Sequence, residues 1–122
     1  MSTPVIHDVR PVFSVRDLAE ALAYYRDALG FRVAWTWGDP PSRAGVARDG
    51  VEIQLVADGV FGPPGASYVY CHMAGVDGYH RECRERGAEI CEGLGDRPFG
   101  MRDFRVVDPS GNRLGFGEPA AG

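Results

Sequence analysis

The chain contains no lysine. All thirteen of its basic side chains are arginine, which excludes Schiff-base chemistry on a lysine amine and any phosphate loop that depends on lysine. Cysteine is scarce and odd in number. Cys71, Cys83 and Cys91 show no Cys-x-x-Cys spacing, so neither a disulfide framework nor a zinc knuckle is indicated. No apolar run approaches the roughly 18 residues of a membrane-crossing helix, and no charged-then-apolar leader is seen; a reducing cytoplasm is the expected compartment. Positive charge is also in short supply. Thirteen basic against seventeen acidic side chains give a net charge of −4, so nothing draws the protein to nucleic acid or to an anionic membrane.

What is present describes an ordinary globular chain. Its 122 residues, 44% hydrophobic and 25% charged, suffice for one domain with a core of its own. The best-defined element is "VRDLAEALAYYRDALGF", where Leu18, Leu22, Tyr25 and Leu29 follow the stripe of a helix with one buried face. Asp17 and Glu20 are spaced as a capping box and Gly30 stands where the helix should stop. "PVFSV" before it and "FRVAWTW" after it have strand character. "GVARDG" and "VEIQLVAD" then form a hairpin turning at Asp49-Gly50.

The second half repeats this order. "ASYVYCHM" is a strand, and "VDGYHRECRERGAEI" a shorter helix with Asp77 as its expected cap and Gly87 as its stop. "AEICEG" follows, and then two strands joined by the turn Asp108-Pro109-Ser110-Gly111. Each half is therefore βαβββ. The expected organisation is a first module over 8–57, a Gly/Pro-rich linker over 58–66 and a second module over 67–118, within one domain of 1–122. The fold class is α+β, with two such modules curling a mixed sheet into a cup and the helices outside.

"PVFSVRDLAEALAYYRDALGFRV" at the front and "PFGMRDFRVVDPSGNRLGF" at the back resemble the vicinal-oxygen-chelate superfamily of glyoxalases and extradiol dioxygenases, and within it the bleomycin-resistance type. The resemblance implies a homodimer with paired cups at its interface. It does not choose between enzyme and binder, since one fold hosts many functions. Enzymes of the superfamily hold a divalent metal on His and Glu ligands from four strands. Carried over, those positions are Arg10, Gln54, Cys71 and Gly115: a guanidinium, a weak neutral amide, a thiol and no side chain at all, which is not such a donor set. No metal and no other cofactor is therefore expected. Other constellations are weak. Cys71 and His72 are strand neighbours and point to opposite faces, His80 and Cys83 give only two points on a helix, His7 precedes the first strand, and Glu52 is expected to face solvent. No catalytic residue is assigned.

Aromatic surface is plentiful instead. Trp35 and Trp37 alternate on one strand, Tyr68, Tyr70 and His72 on another, and Phe99 and Met101 stand in a glycine-flanked loop. An aromatic at strand period is ordinarily core, and a slip of one residue would exchange the Tyr68/Tyr70/His72 face for Val69/Cys71/Met73. The resemblance implies, however, that aromatic side chains at the places of Trp35, Tyr70 and Phe99 line a groove between subunits and stack on flat, partly cationic drug moieties. Each stacked pair adds about 0.5–1.5 kcal/mol beyond burial and each cation–π contact about 0.5–2 kcal/mol, enough in sum for micromolar affinity. The expected ligand-binding set is Arg10, Trp35, Trp37, Gln54, Tyr70, His72, Phe99 and Met101.

The reading that follows is a non-enzymatic, homodimeric protein that sequesters an aromatic, bleomycin-like antibiotic, whether or not the compound is cationic. The alternative is a diverged lyase, isomerase or dioxygenase of the superfamily with an altered or absent metal site. A third reading makes the aromatic face a dimer interface and nothing more.

Overall fold

The computed structural model describes residues 3–121. Its first module runs β1 (Val12–Ser14), α1 (Leu18–Asp27), β2 (Arg32–Gly38), β3 (Pro41–Arg48) and β4 (Val51–Val56). The second runs β5 (Tyr68–His72), α2 (Val76–Glu85), β6 (Glu89–Asp96), β7 (Met101–Val107) and β8 (Arg113–Pro119). The strands form two four-stranded mixed sheets of matching order, β1-β4-β3-β2 and β5-β8-β7-β6. In each, the first strand pairs in parallel with the last and the other pairings are antiparallel. Among the described residues no helix is long and apolar enough to cross a membrane.

Each helix covers one face of its own sheet. Leu18, Ala21 and Tyr25 of α1 are buried against Val46, Ile53 and Leu55, while Val76, Tyr79 and Cys83 of α2 are buried against Phe104, Val106, Leu114 and Phe116; all belong to one core. Because side chains alternate along a strand, the opposite face of each sheet is left without a covering layer. Asp17 caps α1 through the Glu20 N–H at 2.9 Å, and Glu20 itself pairs with Arg16 rather than closing the box. Gly30 ends the helix region at φ +72 and Gly87 does the same after α2 at φ +85.

Asp77 is not the cap of α2. Gly75 occupies the N-cap with left-handed φ 81 and contributes no side chain; Glu118, from β8, accepts the Val76 N–H at 2.8 Å instead. Asp77 lies in the first turn and pairs with Arg102 at 2.7 Å. Only glycine takes that backbone conformation without strain, and the missing cap is supplied from a strand distant in sequence.

The modules are joined at a buried polar node. Asp108, in the β7–β8 turn and 2% exposed, accepts the N–H groups of Ser110 and Asn112 on Oδ1, both at 2.9 Å. Its Oδ2 accepts Tyr25 Oη at 2.9 Å and Asn112 Nδ2 at 3.1 Å. Asn112, fully buried, also donates Nδ2 to the Ser14 carbonyl at 2.9 Å and accepts the Ser67 N–H at 3.1 Å. The turn fits only because Gly65 (φ +91) and Gly111 (φ +103) pass each other without side chains; a Cβ on Gly65 would run into the Ser110 carbonyl oxygen.

A buried donor or acceptor left unpaired costs about 1–3 kcal/mol. Tyr25→Phe, which removes one of the two donors on Asp108 Oδ2, should therefore lower unfolding free energy by about 1 kcal/mol in a urea titration. Asp108→Ala, which strands several donors together, should cost about 3–5 kcal/mol. A loss below about 0.5 kcal/mol for both would show that the node does not hold the modules together.

Candidate functional site

On the open face of the first sheet, β-pairing brings Val12, Gln54, Gly45 and Trp35 into one row. The Trp35 ring lies over Gly45: a Cβ there would stand 2.6 Å from Trp35 Cε2. Trp35 Nε1 donates to Glu52 Oε2 at 3.2 Å, and the same oxygen is held by Arg10 Nη1 at 2.9 Å. Glu52 therefore does not face open solvent as expected. It is two residues from Gln54, so period two puts both on one face, and its side chain is 18% exposed. It is the site residue that sequence reasoning missed although the alternation of β4 could have found it.

The second sheet has a matching arrangement on its own open face. Tyr70 and His72 pair with Gly115 and Gly117, and β7 adds Met101, Asp103 and Arg105 on the same side. The Tyr70 ring runs over the two glycines; a Cβ on Gly115 would stand 2.9 Å from Tyr70 Cδ2, and one on Gly117 2.9 Å from its Cζ. Tyr70 Oη donates to Asp103 Oδ2 at 2.8 Å. Asp103, 4% exposed, is held in turn by Arg97 Nε at 2.7 Å, and Arg97 Nη2 donates to the Gly93 carbonyl at 2.6 Å. Desolvation and the bond to Asp103 push the Tyr70 hydroxyl up to about 12, so it remains a neutral donor. The His72 ring meets Tyr70 edge-on at 5.5 Å, Arg105 lies 5.9 Å from the Tyr68 ring centroid, and Arg105 pairs with Glu92.

Of the eight expected ligand residues, Arg10, Trp35 and Gln54 meet on the first open face, and Tyr70, His72 and Met101 on the second. Trp37 and Phe99 stand farther out, 65% and 70% exposed, at the ends of the β2–β3 and β6–β7 hairpins. Phe99 does not cover the core. Its hairpin closes through Gly100 (φ +88), whose N–H bonds the Arg97 carbonyl at 3.0 Å.

The four positions that the resemblance implies for a metal do not form a donor set. Arg10 is engaged by Glu52, and Gly115 lies beneath Tyr70. Cys71 is 7% exposed and belongs to the core on the side opposite Tyr70; burial pushes its thiol up to about 11. Arg10 stands seven residues before the α1 cap Asp17 (17 − 7 = 10), and seven before the α2 cap Gly75 is Tyr68 (75 − 7 = 68). A guanidinium, an amide, a phenol and a glycine do not suit a divalent ion. No step is assigned to a metal.

A search of curated proteins returns no match. Among solved structures, TnmS3 of Streptomyces sp. CB03234, described as an antibiotic binding protein, is 26% identical with a TM-score of 0.76, the alignment covering 96% of this chain and all of that one. A glyoxalase/bleomycin resistance protein from the same Streptomyces sp. CB03234 is 27% identical with a TM-score of 0.71, covering 88% of this chain and 98% of that one. TioX of Micromonospora sp. ML1, at 20% identity, shares the fold with a TM-score of 0.78 over 93% of this chain and all of that one. The profile of one family matches residues 9–116. Fold, strand order and that match agree: the chain belongs to the Glyoxalase/Bleomycin resistance protein/Dioxygenase superfamily.

Proposed function

We propose that this protein captures a flat aromatic compound, antibiotic-like in character, and leaves it chemically unchanged. One observation carries the reading. Each module lays an aromatic ring over glycine, bonds the ring's polar atom to a carboxylate and pins that carboxylate with an arginine: Trp35–Glu52–Arg10 in one, Tyr70–Asp103–Arg97 in the other. Rings fixed before a ligand arrives lose little conformational freedom on stacking, which is the basis of preorganised binding. The faces of these rings can take a cation–π contact, so positive charge on the ligand is accommodated. The likeness to TnmS3, described as an antibiotic binding protein, supports the same reading. Catalysis has less support, since the arginines and carboxylates here are committed to one another and the Tyr70 hydroxyl, at about 12, is a poor base near neutrality.

The groove is proposed to be completed in a homodimer. Trp37, Tyr68 and Phe99 are all at least 50% exposed on or beside the open faces, and apolar surface of this kind marks an interaction site. The first-module face of one copy and the second-module face of another would then hold a ligand between Trp35 and Tyr70.

Titration with bleomycin, metal-free and copper-loaded, and then with quinoline- and quinone-bearing antibiotics, should give saturable tryptophan quenching at about 1 µM to 10 µM for at least one compound. That compound should be recovered intact. Absence of quenching at high micromolar across the series, or appearance of a product, would sink stoichiometric capture. Trp35→Ala and Tyr70→Ala should each weaken binding by about tenfold or more; loss confined to one of them would mean that a single face holds the ligand.

Gly45→Ala is a sharper test of the platform. Its new methyl group must displace the Trp35 ring, so affinity should fall about as far as in Trp35→Ala, roughly tenfold, while thermal unfolding shows a stable fold. Unchanged affinity would remove the Trp35 platform from the argument. Sedimentation equilibrium should give twice the chain mass, and a monomer that still binds with full affinity would overturn the two-copy groove.

A further inference from the structure

We infer that the cleft at the seam of the two modules is a second ligand site, separate from the open sheet faces, for a compact aromatic amine. The cleft encloses about 600 Å³, within the roughly 300–1,000 Å³ typical of small-molecule pockets. The first module lends Phe31 and the β3–β4 turn, and the second lends the end of β5 and the first turns of α2. Phe31, Val51, Met73 and Phe116 give it apolar walls. Phe31 and Phe116 are 3% and 4% exposed, so the cleft reaches the edge of the core itself. A thioether such as Met73 adapts to aromatic rings of varied outline.

Charge on the rim selects the sign of the ligand. Arg48 is already engaged: its Nη1 donates to the Leu29 carbonyl at 3.1 Å and meets Glu82 at 3.3 Å, and its guanidinium lies 4.8 Å from the Tyr79 ring centroid. Tyr79 Oη donates to the same Leu29 carbonyl at 2.6 Å, so it too is occupied. Glu82 is held by Arg48 and also by Arg86 at 3.2 Å, so what stays available on the rim is the Asp49 carboxylate. Asp49, met by Arg48 at 3.9 Å, has a side chain 93% exposed. The start of α2, which lines the cleft at Gly75 and Gly78, is no anion seat, because Glu118 already takes the Val76 N–H. Burial pushes the Cys71 thiol up to about 11, so it presents a neutral, weakly polar wall. An aromatic ring would lie among Phe31, Met73 and Phe116 with its ammonium group toward Asp49.

His72 stands at the border of this cleft and the second open face, but the walls include neither Trp35 nor Tyr70, so the inference does not rest on capture on the open faces. The sequence supplies the means to read the two sites separately. Of its three methionines, Met73 lines the cleft and Met101 lies on the second open face. Protein carrying 13C at the methionine methyl groups, with signals assigned through Met73→Leu and Met101→Leu, should be titrated with tryptamine. Met73 should shift saturably with a midpoint at or below about 1 mM, and Met101 should not move. Indole-3-acetate, with the same ring and the opposite charge, should leave both signals in place.

Gly78→Leu fills the cleft without strain, since nothing lies within 4 Å of where its Cβ would stand. It should weaken the tryptamine response at least about tenfold and leave any tryptophan-quenching titration of the open faces intact. Four results would overturn the inference: no Met73 shift up to about 10 mM tryptamine, an equal response to indole-3-acetate, an unchanged response in Gly78→Leu, or a Met73 signal that moves with protein concentration alone because a second copy covers the cleft.

Discussion

Asp108 brings four stretches of chain to one buried carboxylate. Tyr25 comes from α1, Asn112 from just before β8, and through Asn112 the backbone of Ser14 and Ser67 is drawn in from β1 and from just before β5. A charge in the core is tolerated only when its lone pairs are filled, and here four donors fill them. In a low-dielectric interior such bonds are stronger than in water and their loss is correspondingly costly. The node also decides geometry. The strands pair within two separate sheets, so the modules have side-chain packing, this polar junction and the Tyr24–Val107, Tyr79–Leu29 and Arg48–Glu82 contacts to set their relative position. The open faces and the seam cleft are where they are because the β7–β8 turn is anchored on α1 and β1.

Much of the fold was legible because its signals are local. The stripe Leu18-Leu22-Tyr25-Leu29, the Asp17 cap and the Asp49-Gly50 turn each depend on residues within a few positions of one another, and the structure has them as helix, cap and hairpin, with Asp49 at φ 50. The repeat of βαβββ was legible for the same reason. The failures share the opposite cause. Asp77 looked like a cap because its true competitor, Glu118, lies forty-two residues away in sequence. Cys71 stands at a ligand position of the family only by resemblance, and strand alternation turns it into the core. Arg97 and Asp103 attracted no notice, since charged residues flanking a turn ordinarily form a solvated surface; only strand pairing reveals that Asp103 is buried beneath Tyr70. Glu52 differs from these, because the alternation of β4 already contained its answer.

The two open faces reach one arrangement with different residues. Tryptophan, glutamate and arginine do in the first module what tyrosine, aspartate and arginine do in the second, and the arginine comes from before β1 in one case and from the β6–β7 hairpin in the other. Local duplication of the chain does not account for that, since Arg10 and Arg97 are not equivalent positions in the repeat. What the faces share is a physical requirement. A large ring can lie over a sheet only where the strand beneath it lacks side chains, hence Gly45 under Trp35 and Gly115 and Gly117 under Tyr70. A ring so placed keeps its orientation only if its polar atom has a fixed acceptor.

The absence of lysine belongs to the same requirement. Arg97 uses Nε on Asp103 Oδ1, Nη2 on the carbonyls of Gly93 and Asp103, and Nη1 toward Glu92. A planar fork of five donors can serve several acceptors from one fixed pose, whereas an ammonium is a point charge on a flexible stem. Arg102 likewise bridges Asp77 and Asp96, and Arg48 joins Leu29, Glu82 and the face of Tyr79 across the module seam. Arginine therefore acts here less as a charge than as a rigid connector, holding rings and carboxylates in the positions that a binding surface needs.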